Sequence, residues 1–379
     1  VSELAELWAA LPEARIVGGA VRDELAGRPV ADVDLASPLT PEAVMARLHD
    51  AGMKVVPTGL PHGTVTAVVG DKNFEITTLR RDISTDGRHA VVVFTDDWEA
   101  DAARRDFTIN AMSMDRDGKV YDYFGGRADL AAGIVRFVGE ARLRICEDYL
   151  RILRFFRFFA RYGQSPDNDA VSAITAMRDG ISRLSVERVW SELKRILSAD
   201  DPRATLALMQ RTDVLAVTLA ETVSLDGLNA LVARGAPVDP LLRVAALLGT
   251  SGADLAARLK LSNEELERLT LLLAPGSLYP NADEAGLRRA LADTAADILI
   301  ERAWLHQDDK PGWDELRQRL GNMSRPVFPL QGRDLVDLGI PPGPRMGKIL
   351  AKVRQWWLEG GCVADLAACR DQALLAVLR

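Results

Sequence analysis

The chain has 379 residues, 48% hydrophobic and 27% charged, the balance of an ordinary folded protein with room for about two to four domains. No apolar run reaches the roughly 18 residues of a membrane helix, and three cysteines (Cys146, Cys362, Cys369) are too few and too scattered for a disulfide framework or a zinc site. A net charge of −7 argues against indiscriminate nucleic-acid binding, and the start carries no secretory pattern, so a cytoplasmic location is expected.

In chain order, Leu4, Leu7, Trp8 and Leu11 have helical spacing, and Ala14 to Val17 reads as an apolar strand. Gly18-Gly19 follows, then a helical stretch from about Ala20. A glycine pair between strand and helix lets the backbone bend tightly and turn N–H groups toward an anion. Asp32-Val33-Asp34-Leu35 comes next. On a strand, residues i and i+2 share a face, so both acids point one way. Carboxylates held that close repel unless a cation sits between them, and hard oxygen ligands select Mg²⁺ or Mn²⁺. Alone, each run also fits a plain turn or a solvated strand end.

Thr40-Pro41 is a helix start, and the helix is predicted to run to about Ala51. Short β-rich runs follow at 54–56, 64–69 and 74–77, and Asp115 to Gly118 reads as a hairpin turn. Between Arg80 and Asp97 the sequence is polar without a clear period, which predicts a mobile loop. Residues 1 to 138 thus read as a mixed head. After Ala141 strand signals nearly vanish, and helical patterns run to the end, broken near 164–169, 235–240, 275–281 and 325–332.

Two further runs carry chemistry. In Arg104 to Ala111, Asp106 and Asn110 are predicted to face together one helical turn apart, with Arg105 beside them. That set offers polar groups for a sugar and cations for a triphosphate, or else a salt-bridged helix start. In Glu147 to Arg154, Glu147 and Arg151 have i, i+4 spacing, ordinarily a helix-stabilising pair. An aspartate and an arginine also form a base-reading pair. The acid accepts from an exocyclic amine while the guanidinium donates to the adjacent ring nitrogen. Cytosine and adenine satisfy both contacts; uracil and guanine satisfy neither, and unpaired buried polar groups are costly. From Arg136 to Gly163 seven arginines face three acids, a local basic band suited to phosphate.

Together these runs resemble the class II nucleotidyltransferases, the family of CCA-adding tRNA nucleotidyltransferases and bacterial poly(A) polymerases. Gly18 to Asp34 resembles their first motif, Arg104 to Asn110 the second, and Glu147 to Arg154 the nucleotide-selecting one. Asp122-Tyr123-Phe124-Gly125-Gly126 is similar to the hinge motif, and Leu184 to Leu193 to the last, a helix start that buttresses the neck.

The resemblance implies an α+β fold: a polymerase-β-like head (1–138), then an all-helical neck (139–200), body (201–325) and tail (326–379). It implies CCA addition to tRNA from CTP and ATP by two-metal nucleotidyl transfer, without a nucleic-acid template and with pyrophosphate release. Mg²⁺, with Mn²⁺ as an alternative, would sit on Asp32 and Asp34, with Glu75 a candidate third carboxylate. Gly18, Gly19 and Arg22 would hold phosphates, and Arg105, Asp106 and Asn110 the ribose and triphosphate. Asp148 and Arg151, with Arg154, would form the template. Arg142, Arg157 and Arg161 are the candidate RNA contacts.

Asp86 to His89 resembles the flexible loop of enzymes that complete the terminal A, which favours full CCA addition. His62 is expected to pack near the site and not to act as a base. The tail run from Leu330 to Gly347 fits the family's tRNA-elbow end, and Trp356-Trp357 is expected to be core. The partners implied are the tRNA acceptor and TΨC arms, CTP and ATP, with no membrane and no protein partner. Alternatives are a poly(A) polymerase, against which the absence of a basic C-terminal extension speaks, or a CC- or A-adding enzyme of split specificity. A non-catalytic RNA binder does not require the acid pair, and four histidines give an added phosphohydrolase centre little to build on.

Overall fold

Alternating burial organises the first half of the chain. In Thr64–Val69 the residues Val65, Ala67 and Val69 are buried and their neighbours are not, and in Lys72–Thr78 Phe74, Ile76 and Thr78 face inward. A period of two with one apolar face makes half-buried strands. The structure is a computed structural model that describes residues 3–85, 90–219, 223–248, 259–276 and 278–377. It divides into two compact units, Val1–Val223 and Ser224–Arg379.

The first unit is built on a seven-stranded mixed sheet. Its strands are β1 (Arg15–Val17), β2 (Asp34–Ser37), β3 (Lys54–Gly59), β4 (Thr64–Val69), β5 (Lys72–Thr78), β8 (Met112–Met114) and β9 (Val120–Asp122), in the order β3-β4-β5-β2-β1-β8-β9. Only β2 and β5 pair in parallel; the other neighbours are antiparallel. Helices α1 (Glu3–Ala10) and α3 (Pro41–Asp50) supply Leu7, Val44 and Leu48 to a core shared with Leu35, Val65, Phe74 and Ile76. Thr40 caps α3 by accepting from the Ala43 N–H, with Pro41 at the first helical position. Helix α2 (Gly19–Leu25) adds Ala20 and Val21 to a neighbouring cluster with Ile16 and Met112.

One expectation is corrected here. Arg80–Asp97 is not a loop: β6 (Arg80–Thr85) and β7 (Ala90–Phe94) form an antiparallel pair of their own. The β-branched run Val91-Val92-Val93 supplies strand propensity that the polar partner strand masks in a search for periodicity. The expected terminal-A loop, 86–89, lies outside the described residues. A second small sheet, Ile134–Val135 (β10) beside Ser165–Pro166 (β11), carries no sequence signal at that length.

Beyond the sheet the unit is helical: α4 (Trp98–Ala103), α5 (Gly126–Ala131), α6 (Ala141–Glu147), α7 (Leu150–Tyr162), α8 (Asn168–Met177) and α9 (Val186–Leu197) lead into further short helices up to Leu219. A cluster of phenylalanines joins α7 to the sheet domain. Phe107 lies 4.8 Å from Phe137 and 5.3 Å from Phe158, ring centre to ring centre, and is fully buried. Truncating it leaves a cavity where two segments meet, so Phe107→Ala is expected to destabilise the protein by about 3–5 kcal/mol, read as a shift in the denaturant midpoint.

The second unit is helical throughout its described residues. One core gathers Leu287, Leu291, Trp313, Leu316 and Leu320. Another joins Leu330, Leu335, Ile349, Val353 and Trp357. Trp357 is core, 2% exposed and donating through its indole N–H to the Ala364 carbonyl, while Trp356 is half-buried.

Candidate active site

The sheet turns one pair of acids outward. Asp34 is register-paired with Glu75 across the parallel β2–β5 contact, while Leu35 and Ile76, one residue on, face the core. Asp34 and Glu75 therefore share the open face. The strand begins at Asp34, so Asp32 lies on the connection before it, not on the strand as expected. Burial, then the charges of Glu75 and Asp32, raise the Asp34 carboxyl above its ordinary value against the opposing pull of Arg105. Among the described residues, no three His, Cys, Asp or Glu side chains are gathered closely enough to hold a metal ion. The chemistry of Asp32, Asp34 and Glu75 is nevertheless that of a divalent-ion site: their donors are hard oxygens, and their mutual repulsion is what such an ion relieves.

Beside it, Gly18 ends β1 with φ +66° and leads into α2. A Cβ on Gly18 would lie 2.8 Å from Arg105 Nη1, so the glycine is what lets that guanidinium lie against the turn. Arg105 also donates to the Gly18-side carbonyl of Asn110 at 3.3 Å and to Asp101 at 3.3 Å. Burial, with Arg104 adding and Asp101 opposing, lowers its pKa. Gly18→Ala is expected to cost about 1–2 kcal/mol of stability from the left-handed backbone. By moving Arg105 it should also lower kcat/KM for nucleotide addition about 10- to 100-fold, measured by steady-state kinetics beside a melting curve.

Asp106 and Asn110 meet as expected, but not on an α-helix. Helix α4 ends at Ala103, and Thr108–Asn110 is a single 3₁₀ turn. Asn110 Nδ2 donates to Asp106 Oδ1 at 3.0 Å, and Arg22 Nη1 donates to Asn110 Oδ1 at 2.6 Å. Arg154 Nε donates to Asp106 Oδ2 at 2.7 Å, which ties α7 to this turn. Burial pushes the Asp106 carboxyl up, but Arg154, Asn110 and the Phe107 N–H together outweigh it and hold it low and ionised.

Glu147 and Arg151 do pair, although not along one helix. Helix α6 ends at Glu147, Asp148 is extended, and α7 begins at Leu150. Asp148 Oδ1 accepts from the Leu150 N–H at 3.0 Å, and its Oδ2 accepts from Arg188 Nη2 at 2.7 Å. Both bonds of Arg151, to Glu147 and to the Arg144 carbonyl at 2.9 Å, run through Nη1.

These groups surround one cavity of about 420 Å³. Gly18, Gly19, Arg22, Arg105, Asp106, Asn110, Asp148, Arg151 and Arg154 all line it. Arg188, Leu150 and Phe158 also line it and were not singled out from sequence. Arg188 stands inside the Leu184 to Leu193 run, so that motif held the signal. Asp32, Asp34 and Glu75 lie outside the cavity lining.

The three candidate RNA contacts are not brought together. Arg157 lies 2.8 Å from Glu192 and, with Arg161, lines a second cavity, whereas Arg142 lines a third with Arg136 and Asp167. His62 is exposed and not packed against the site; its carbonyl accepts from Arg80.

Residues 14–136 match the poly A polymerase head domain, and residues 165–225 match a probable RNA- and SrmB-binding site of polymerase A. The chain is 39% identical to the mitochondrial CCA tRNA nucleotidyltransferase 1 of Danio rerio, over 91% of this chain and 83% of that protein. It is 32% identical to the CCA-adding enzyme of Geobacillus stearothermophilus, over 88% and 85% respectively. The crystal structure of a Bacillus stearothermophilus CCA-adding enzyme in complex with CTP superposes with a TM-score of 0.77 at 27% identity, covering 100% of this chain and 98% of that one. The vertebrate relative is mitochondrial by name, so similarity does not carry the cytoplasmic expectation; among the described residues no helix is long and apolar enough to cross a membrane. The mixed sheet, the cavity beside it and this similarity along most of the chain agree: the chain belongs to the CCA-adding tRNA nucleotidyltransferases, an enzyme family whose chemistry uses a divalent metal.

Proposed function

We infer that this protein adds C, C and A to the 3′ end of tRNA, taking CTP and then ATP without a nucleic-acid template and releasing pyrophosphate. CCA addition follows from the family. The observation that carries the finer reading is that Asp148 and Arg151 line the same cavity as Gly18, Gly19, Arg22 and Arg105. Candidate base-reading and phosphate-holding groups lining one cavity suit a single nucleoside triphosphate.

Asp32 and Asp34, with Glu75 as a third carboxylate, would hold Mg²⁺, which when bound would supply Lewis-acid activation of the RNA 3′-hydroxyl and neutralise charge on the triphosphate. Arg22 and Arg105 neutralise phosphate oxygens, and Asn110, fixed by Asp106 and Arg22, faces the sugar. Asp148 accepts from the exocyclic amine of C or A. Its two oxygens already accept one bond each, and a carboxylate has lone pairs to spare. Arg151 donates to the adjacent ring nitrogen through the guanidinium atoms that its Glu147 and Arg144 bonds leave out. Arg188 keeps Asp148 aimed. Residues 1–138 act as the head, 139–200 as the neck, 201–325 as the body and 326–379 as the tail that meets the tRNA elbow. Arg142, Arg157 and Arg161 are the RNA contacts of this reading, and the enzyme works in the cytoplasm without a protein partner.

The test is incubation with a tRNA ending at the discriminator base, Mg²⁺, and CTP, ATP or both. CTP alone should give CC, and the two together CCA. Long A tails on unstructured RNA would overturn the tRNA reading, and arrest after CC with both nucleotides would make the enzyme a CC-adding one.

A further inference from the structure

A cavity of about 670 Å³ in the first unit does not coincide with the nucleotide cavity but shares two of its walls, Arg22 and Phe158. Three more arginines besides Arg157 join Arg22 there: Arg28, Arg161 and Arg195. The reading above takes from it only Arg22, for phosphate, and Arg157 and Arg161, as RNA contacts.

Its aromatic rings are already covered. Arg22, Arg28 and Arg161 lie 4.5, 5.2 and 5.7 Å from the centre of the Tyr162 ring, and Arg157 lies 4.3 Å from that of Phe158. The rings therefore hold guanidinium groups in place and do not offer open faces to a base. The nearby acids are largely engaged. Asp23 is bound by Arg22 and by the Tyr162 hydroxyl, Glu192 lies 2.8 Å from Arg157, and Asp201 is chelated by Arg203 at 2.6 to 3.1 Å. Burial, with Arg154 and Arg195 adding against the counter-pull of Glu192, takes the Arg157 guanidinium down to about 10. So dense a set of like charges is eased by a multiply charged anion.

The position of the shared wall indicates which anion. In the nucleotidyl-transfer reading Arg22 holds phosphate, and it lines both cavities. A β,γ-diphosphate released beside Arg22 would therefore have the arginine-lined cavity next to it. Resting on the nucleotidyl-transfer reading, we propose that the cavity beyond Arg22 is a second polyphosphate site that receives the leaving pyrophosphate.

The test is equilibrium dialysis of labelled inorganic pyrophosphate against the full chain with Mg²⁺, saturating CTP and no tRNA. One pyrophosphate per chain should remain bound beside CTP. Arg28→Gln/Arg195→Gln should raise its Kd about tenfold or more, with Arg28→Lys largely restoring it and CTP affinity staying within about twofold. A matching shift should appear in the Ki of pyrophosphate as a product inhibitor. Complete displacement of pyrophosphate by CTP overturns the proposal, as does unchanged pyrophosphate binding in a double variant that melts like the parent. A defect confined to a raised KM for tRNA also overturns it and makes the cavity a seat for RNA phosphates. Failure of the parent enzyme to add C to tRNA would instead sink the nucleotidyl-transfer reading.

Discussion

Replacing Asp32 and Asp34 together by alanine is expected to lower the rate of C addition by about a thousandfold or more, with the fold intact. Asp32 lies on the connection before β2 and Asp34 at the strand's first position on its open face, while the packing of β2 rests on Leu35 and Ala36. The cost therefore falls on chemistry. Asp34→Asn separates the two roles. The folded state raises the Asp34 pKa, through burial and the charges of Glu75 and Asp32, so folding favours the protonated form. Its contribution to stability falls as pH rises from the unfolded value through the raised folded one, and above both the ionised carboxylate is a net cost. Without divalent ions at neutral pH, Asp34→Asn should melt above the parent while losing activity. Adding Mg²⁺ should raise the Tm of the parent and not that of the variant. Equal stabilisation of both would remove Asp34 from the metal site.

The second large effect concerns the base. Asp148→Ala is expected to reduce discrimination for CTP over UTP about 10- to 100-fold, because each lost buried contact is worth about 1–3 kcal/mol. Inverting both polarities goes further. Asp148→Asn presents an amide N–H to the uracil O4, and Arg151→Gln presents an acceptor to its N3–H. The double variant should accept UTP and GTP while its use of CTP and ATP falls. Asp148 also accepts from the Leu150 N–H and pairs with Arg188, so about 1 kcal/mol of stability is expected to go with it. Competition between CTP and UTP in one reaction isolates selectivity from that loss, since partial unfolding lowers both products alike. Unchanged product ratios would refute the template assignment.

Much of this was legible in the residues themselves. A glycine pair after a short strand, acids beginning a second strand, and alternation in 64–69 and 72–78 are local features, set by backbone sterics and a period of two. They were sufficient for the head's main elements, for the Thr40 cap and for the candidate phosphate-holding groups of the cavity. Where local signals misled, a neighbour supplied what they lacked. The polar strand Arg80–Thr85 exists because Ala90–Phe94 pairs with it. Asp106 and Asn110 meet across a 3₁₀ turn pinned by Arg154 and Arg22, not along a helix.

The site as a whole belongs to the tertiary structure. Asp34 and Glu75 are 41 positions apart in sequence and become neighbours only through the parallel β2–β5 pairing. Arg188 reaches Asp148 because α9 packs against α7, and no spacing within either helix announces a contact 40 residues distant. The sequence by itself determined which chemistry the side chains support: acids for a cation, arginines for phosphates, an acid–arginine pair for C and A. Packing decided which of those groups share a cavity and which arginines gather beyond Arg22, because charge acts over a few ångströms of space and takes no account of distance along the chain.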